Sequence, residues 1–486
     1  MRHAPSQIVE HAMARSKSRN RGKSKSSKRT EDLEALRLIN VNAAGIDIGA
    51  TAHHVAVPAD RDDEPVRRFG SFTEDLHQLA DWLAGCGIQT VAMESTGVYW
   101  ICVYQILEQR GFEVKLVNPR HLKHVPGRKT DMVDCQWIQQ LHTYGLLAGS
   151  FRPDDQICVL RSYLRQRQML VEYAANHIQH IQKALTQMNV KLQHVIRDVT
   201  GRTGMDIIQA IVEGERDPQV LARYRQKGCK NDEATIAASL RGDWREEHLF
   251  ELKQAVELYE FYQKKLADCD QRIEAHLKTF EDHSQDQEAL NPKGRTKPKG
   301  NAPQFDVPGQ LYRITGSDLT GIDGIDSHTA LKIISEIGLD MTRWSTSKQF
   351  ASWLGLCPGS KISGGKTLST RSKACANRAA AAFRLAAHGL HNSKSALGAY
   401  LRRMKARLGP AKAITATAHK LARLVYSILR HGHQYVDPGQ DYYEQQHRSR
   451  VVNNLTRRAK EIGYRLVATE DNETTSTPVD LLAHGV

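Results

Sequence analysis

Four acidic residues occupy places where a folded chain has little use for charge. Asp47 lies between two isoleucines in "GIDIGA", Glu94 ends the apolar run "TVAMES", and Asp131 and Asp134 fall three apart in "KTDMVDC". A buried carboxylate costs several kcal/mol unless it finds hydrogen bonds or a cation. The spacing of Asp131 and Asp134 at the start of a helical pattern puts both on one face, about one turn apart. Four like charges in one pocket repel unless divalent cations lie between them. Carboxylates are the hard oxygen ligands that Mg²⁺ prefers, and two such ions about 3.5–4 Å apart stabilise the attacking and leaving oxygens of a phosphodiester. Singly, each acid has a plainer reading, a turn residue in a strand or a helix cap for Asp131. Together, they point to a metal site.

The elements that must carry these acids follow from local pattern. "VNAAGIDIG" and "AHHVAVP" read as two strands joined by a tight turn, and "VRRFGSF" as a third. "TEDLHQLADWLAG" has helical spacing, with Thr73 as its N-cap and Gly85 as its stop. "TVAMES" is a fourth strand, "VYWICVYQILEQRG" a helix, "FEVKLVNP" a fifth strand and "DMVDCQWIQQLHTYG" another helix. The order β-β-β-α-β-α-β-α predicts an α/β domain of the ribonuclease H kind. In such a sheet the C-terminal ends of parallel strands converge on a crevice. If strands one and four are neighbours, Asp47 and Glu94 share it, with Asp131 and Asp134 at its edge.

Beyond this domain the pattern is helical. Leu164, Val171, Ile178, Leu185 and Leu192 recur every seven residues, interleaved with Leu160, Ala174, Ile181 and Met188, and Leu249, Leu252, Val256, Tyr259, Leu266, Ile273, Leu277 and Phe280 form a second series broken by Gln263 and Asp270. Such heptads predict either an antiparallel hairpin or an intermolecular coiled coil. The expected organisation is a disordered basic arm over 1–40, the α/β domain over 41–150, a helical arm over 151–281, and a Pro-, Gly- and Lys-rich linker over 282–310. A mainly helical domain over 311–435 and a partly disordered extension over 436–486 complete it.

The 486 residues carry 68 basic and 54 acidic side chains, a net charge of +14, as expected for a protein that meets a polyanion. The basic run "RSKSRNRGKSKSSKRT" is either a phosphate-seeking arm or a solubilising tail. The eight cysteines form no CxxC pair, which argues against a zinc site and a disulfide scaffold. No run of about 18 apolar residues predicts a membrane span, and the basic N-terminus has no apolar stretch behind it. A cytoplasmic protein is expected.

With these residues in place, the chain resembles the DEDD transposases of bacterial insertion sequences, the insertion-sequence-110/1111 family. The likeness rests on "GIDIGA", "MESTGVYW", "VNPRHLKHVPGRKTDMVDCQWI", "VTGRTGMDIIQAIVEGERDP", "GIDGIDSHTALKIISEIG" and "HKLARLVYSIL", and runs from about residue 41 to 435. It implies a RuvC-like domain whose DEDD set is Asp47, Glu94, Asp131 and Asp134. It also implies a C-terminal transposase domain with a nucleophilic serine before a glycine. Ser363 in "KISGGK" is the best match and Ser360 its nearest competitor. Gly364 and Gly365 leave room for a phosphate, and Lys361, Lys366, Arg371 and Lys373 can hold it. Arg128 and Lys129, just before the acidic pair, complete the candidate nucleic-acid-binding residues.

The segment 319–338 looks like a helix-hairpin-helix, and "YLRRMKARLG" like a basic helix that either tracks a backbone or simply faces water. His121 and His124 read as phosphate-facing or structural, and Tyr99 and Trp100 as core packing, with stacking on a base as the alternative. The resemblance further implies Mg²⁺ (two ions, with Mn²⁺ as a substitute), double-stranded DNA as substrate, an element-encoded bridge RNA, a homo-oligomer and a place near the bacterial nucleoid. The rival expectation is a RuvC-like, metal-dependent, structure-selective DNA endonuclease that uses water alone; a non-catalytic nucleic-acid-binding protein is a third.

Overall fold

Alternation of side chains along the strands decides the first part of the fold. β1 (Ala43–Ile48), β2 (Ala52–Ala56), β3 (Val66–Gly70), β4 (Thr90–Glu94) and β5 (Glu113–Val117) form one sheet in the order β3-β2-β1-β4-β5. β1 and β2, and β2 and β3, pair antiparallel, whereas β1–β4 and β4–β5 are parallel. The computed structural model describes residues 37–119, 131–284, 301–372, 377–432 and 435–467, with 131–133 described by backbone alone. Within them the chain divides into two compact units, Met1–Arg152 and Pro153–Val486.

In the first unit, α1 (Thr73–Gly85) and α2 (Trp100–Gln109) share one apolar core with Ala44, Ile46, Ile48, Val91 and Met93. The opposite face carries α3 (Asp131–Thr143), whose Ile138 and Leu141 pack with Ala92 and Val117. Period-two alternation therefore gives β1 and β4 one apolar row each toward α1 and α2, and a second row toward α3. This mixed sheet with helices on both faces is compatible with the ribonuclease H-like expectation, and the predicted neighbours β1 and β4 are adjacent. One cap differs. Phe72, not Thr73, is the N-cap of α1, because the Asp75 carboxylate reaches back to accept the Phe72 amide at 3.1 Å.

The second unit begins with α4 (Asp155–Gln187). The short helices α5 (Leu192–Val195), α6 (Arg202–Val212), α7 (Pro218–Ala222) and α8 (Glu233–Ser239) follow, and α9 (Glu246–Leu277) returns. Tyr163 meets His276, Arg167 meets Asp270 and Tyr173 meets Tyr262, so α4 and α9 lie antiparallel within one chain. That selects the intramolecular hairpin of the two expected arrangements. The buried seam of α4 runs through Leu160, Leu164, Arg167, Leu170, Ala174 and Ile181, whereas Val171 and Ile178 are only half-buried. Leu192 falls outside the helix. The short helices close over the far end of the pair around Ile181, Leu185, Ile207, Ile211, Leu221 and Ile236.

After the hairpin come α10 (Val307–Thr315), α11 (Ser327–Ile337), α12 (Ser347–Trp353), the strands β6 (Lys361–Ser363) and β7 (Lys366–Ser369), α13 (Arg378–Gly389), α14 (Ala396–Leu408), α15 (Pro410–His431) and α16 (Gly439–Glu461). The first helix after the hairpin begins at Val307, within the segment expected to be a linker. The extension expected to be partly disordered holds a 23-residue helix. The hairpin is tied to this domain by Arg161, which donates to the Ser335 and Glu336 carbonyls at 3.0 Å, and by Arg165, which grips the Glu336 carboxylate.

Candidate active site

Gly45 explains how α3 comes to lie over the strand ends. A Cβ at this position would run into the Cys135 carbonyl and the Gln139 amide, and would stand 2.7 Å from the Gln139 Cα. Only a glycine lets the helix backbone approach the sheet so closely. Two residues further along β1, on the same face, is Asp47. Its charge acts on Cys135, whose buried thiol is pushed up to about 11, by burial first and by Asp47 in addition. Lower on that face the Thr90 hydroxyl and the His142 Nε2 are 2.9 Å apart, so the C-terminal end of α3 lies over the start of β4. The helix therefore runs against β1 and β4, and its first turn, Asp131 to Asp134, is at the strand ends.

β1 and β4 pair in the register Ile46 with Met93, and the next residues along are Asp47 and Glu94. In a parallel pair, residues at one register position point to one face. Since Gly45 and Ala92 face α3, so do Asp47 and Glu94. Glu94 is 9% exposed, and among the described residues the Thr96 hydroxyl, at 2.9 Å, is its one hydrogen-bond donor. Asp47 and Asp134 are half-buried. The backbone of Asp131 opens α3, and its side chain lies outside the described residues, as do Arg128, Lys129, His121, His124 and Lys373. Trp100 packs edge-on against Tyr104 at the core margin, while Tyr99 is exposed.

The donor set suits a divalent cation. It consists of hard oxygens, Glu94 has no basic partner among the described residues, and the acids of α3 sit at a helix start, where the backbone dipole favours negative charge. Among the described residues, which leave out the Asp131 side chain, no three metal-ligating side chains gather closely.

The candidate serine belongs to the other unit. Sequence pattern alone reads "SGG" as a loop; the structure makes it the corner of a β-hairpin. Ser363 ends β6 and pairs with Lys366, and the two residues between them, Gly364 and Gly365, have φ of +54° and +74°. Two successive positive φ values are what a tight two-residue hairpin turn demands, and glycine supplies them without strain. Ser363, Lys361 and Lys366 are all exposed. The bridge between Pro358 and Ser372 and the bond from the Gly359 amide to the Arg371 carbonyl, at 3.1 Å, extend the hairpin. Ser360 precedes β6 and is also exposed. Among the described residues no histidine or carboxylate bonds to the Ser363 hydroxyl.

The supposed helix-hairpin-helix is shifted. Its two helices are α10 and α11, and the loop between them spans 316–326. Gly324, with φ of +89°, is packed so that a Cβ would meet the Ala386 carbonyl at 2.9 Å. It faces α13, so this turn is packed against the helical domain.

A sheet with carboxylates at its strand ends and a strongly basic helical unit fit the class of ribonuclease H-like, nucleic-acid-processing proteins. A family model described as "Transposase", of the IS110 DEDD type, matches residues 44–190. A second, described as "Transposase IS116/IS110/IS902 family", matches residues 316–401. A search of curated proteins finds no match to the chain. The chain belongs to the IS110 family of DEDD transposases. Its class of partner is therefore DNA, and the family's carboxylate set implies a divalent metal ion.

Proposed function

We propose that this transposase excises and inserts its element by strand cleavage and rejoining through Ser363, assisted by Asp47, Glu94, Asp131 and Asp134. The observation that carries the reading is the placement of Asp47 and Glu94 on one face, at adjacent strand ends, beneath the first turn of α3. The Ser363 Oγ gives up its proton and attacks phosphorus, an Oγ–P bond forms as the bond from phosphorus to one deoxyribose oxygen breaks, and the released oxygen takes up a proton, so that protons balance over the step. Rejoining runs the same steps in reverse with a new strand end. Lys361, Lys366 and Arg371 lower the cost of the charge that builds on the phosphoryl oxygens.

The four acids would hold Mg²⁺, in all two ions with Mn²⁺ as a substitute, and a divalent ion there supplies electrophilic stabilisation of the phosphodiester oxygens. The turn at Gly364 and Gly365 keeps the serine at an exposed corner, where a duplex backbone can reach it. Because the serine and the acids belong to different units, the reading requires both to engage one phosphodiester. Site choice is assigned to an element-encoded bridge RNA and assembly to a homo-oligomer, both by resemblance to the family.

The test is a denaturing gel of the wild type, Ser363→Ala, Ser360→Ala and Asp47→Ala with labelled DNA spanning the joined element ends, Mg²⁺ and co-purified RNA. A protein-linked DNA band is expected in the wild type and Ser360→Ala, and not in Ser363→Ala or Asp47→Ala. Cleaved ends without an adduct, unaffected by either serine change, would replace this mechanism with that of a water-using nuclease.

A further inference from the structure

From residue 402 on, just past the end of the second matched region, basic residues collect where α14, α15 and α16 meet. Between residues 396 and 461 there are thirteen Lys and Arg against four Asp and Glu, so this stretch carries more than half of the net charge of the chain. At its centre Lys420 is half-buried, its Nζ 4.8 Å from the Tyr400 ring and 5.5 Å from that of Tyr443. The two tyrosines meet edge to face at 6.2 Å, and the Arg403 guanidinium stands 6.0 Å from Tyr443. Arg403 Nη1 is buried, with no hydrogen-bond partner among the described residues. Burial, and then the charge of Arg450, lower the pKa of Lys420.

Three cations thus converge, and among the described residues no carboxylate forms an ion pair with them. Asp437, the acid that opposes this trend, already accepts the Ala396 amide at 3.1 Å and the Tyr435 hydroxyl at 3.3 Å. Glu444 is engaged by Gln440 at 3.0 Å. Bringing like charges together and partly desolvating them is unfavourable unless an anion joins them. The charge also extends beyond one anion. Arg457, which Glu461 meets at 3.9 Å, and Arg458 continue it along α16 from Arg450, over about 12 Å at 1.5 Å per residue, and α16 buries none of its side chains.

We infer that the α14–α15–α16 junction, centred on Arg403, Lys420 and Arg450, is a second DNA contact that holds the phosphodiester backbone of a duplex away from the reacting strand. A duplex presents a charge every 1.7 Å or so of axis, which suits a stripe of this length. Single-stranded RNA fits less well, because Tyr400 and Tyr443 turn to each other and to Lys420 and offer no free face for base stacking. The inference rests on the chain acting on DNA and is independent of the chemistry at Ser363.

The experiment measures the equilibrium affinity of the full chain for a duplex of unrelated sequence across a range of salt, for the wild type, Lys420→Gln, Arg450→Gln, Arg450→Lys and the double variant Arg457→Gln/Arg458→Gln. Each lost charge is expected to weaken binding several-fold at low salt and to reduce the slope of log affinity against log salt by about 1. Arg450→Lys is expected to keep the slope, and because the readout is binding to a duplex of unrelated sequence and not cleavage, a failure of the serine mechanism leaves the result readable. Unchanged circular dichroism and thermal midpoints establish that the variants are folded. Wild-type slopes in the folded Gln variants would overturn the inference. So would a loss confined to RNA, or unchanged DNA binding with an altered oligomeric state, which would make this face an RNA or a protein interface.

Discussion

Gly45 shows how one side chain of no size sets the position of several charged ones. Its missing Cβ admits the Cys135–Gln139 turn of α3, and that contact brings the helix start over Asp47 and Glu94. Gly45→Ala is expected to lower stability by about 1–3 kcal/mol through overpacking, and to lose strand cleavage more completely than stability. Chemical denaturation compared with cleavage rate checks this; wild-type cleavage in the variant would show that the docking of α3 does not position the acids. His142, on the last turn of α3, gives a pH prediction. Burial pushes its pKa down from 6.5 to about 4, so the unfolded chain takes up the proton first. Its contribution is therefore intact above about pH 6.5 and is lost as the pH falls toward 4. His53 and His328 are shifted the same way, again mainly by burial. Denaturation curves from pH 8 to 4 should show a shallower acid-side loss in His142→Gln than in the wild type; equal slopes would mean that the ring titrates alike in both states. The acids themselves were legible because a carboxylate ending an apolar strand is conspicuous. Gly45 was not, since a glycine in "AGIDIG" looks like flexibility until the helix that fills its space is known.

Among the elements, the long helices were legible in type and length but not in register. Asp270 interrupts the apolar series of α9 and Arg167 sits among polar neighbours in α4, yet both are buried, and the Arg167 Nε donates to Asp270 Oδ1 at 2.5 Å. The Gln304 amide adds a bond to Asp270 Oδ2 at 3.1 Å. A strict seven-residue count prefers Val171 and Ile178 for the seam. The buried seam is a parallel seven-residue series, Leu160, Arg167, Ala174 and Ile181, which a count of apolar residues passes over because an arginine fills one of its places. Asp270→Ala is expected to cost about 3–5 kcal/mol because it strands a buried guanidinium, whereas Arg167→Met with Asp270→Leu should recover most of the loss. Thermal and denaturant midpoints of the single and double variants check this, and a double variant no better than Asp270→Ala would refute the desolvation argument. Helix α16 escaped sequence reading for the opposite reason. It buries nothing, so no apolar period marks it, and its arginines resemble those of a solvated tail.

At the scale of the molecule, attraction to DNA and chemistry on DNA draw on different side chains. The net charge of +14 is spread over many exposed Lys and Arg, and their attraction to phosphate operates through released counterions. In the proposed mechanism, cleavage draws on a few acids at the strand ends of one unit and on a hydroxyl in the other. Removing divalent ions with a chelator should therefore abolish strand cleavage and leave duplex affinity within about a factor of 3, since surface lysines need no metal. Raising salt from 50 to 200 mM should do the reverse in a pre-formed complex: affinity falls by about 10³-fold or more if six or more phosphates are neutralised, while the single-turnover rate of the DNA still bound changes little. Filter binding and single-turnover cleavage on the same preparation separate the two. If the chelator weakens binding as much as cleavage, the carboxylate site is itself a main anchor for DNA, and the acids at the ends of β1 and β4 would have to be read as holding the duplex as well as cutting it.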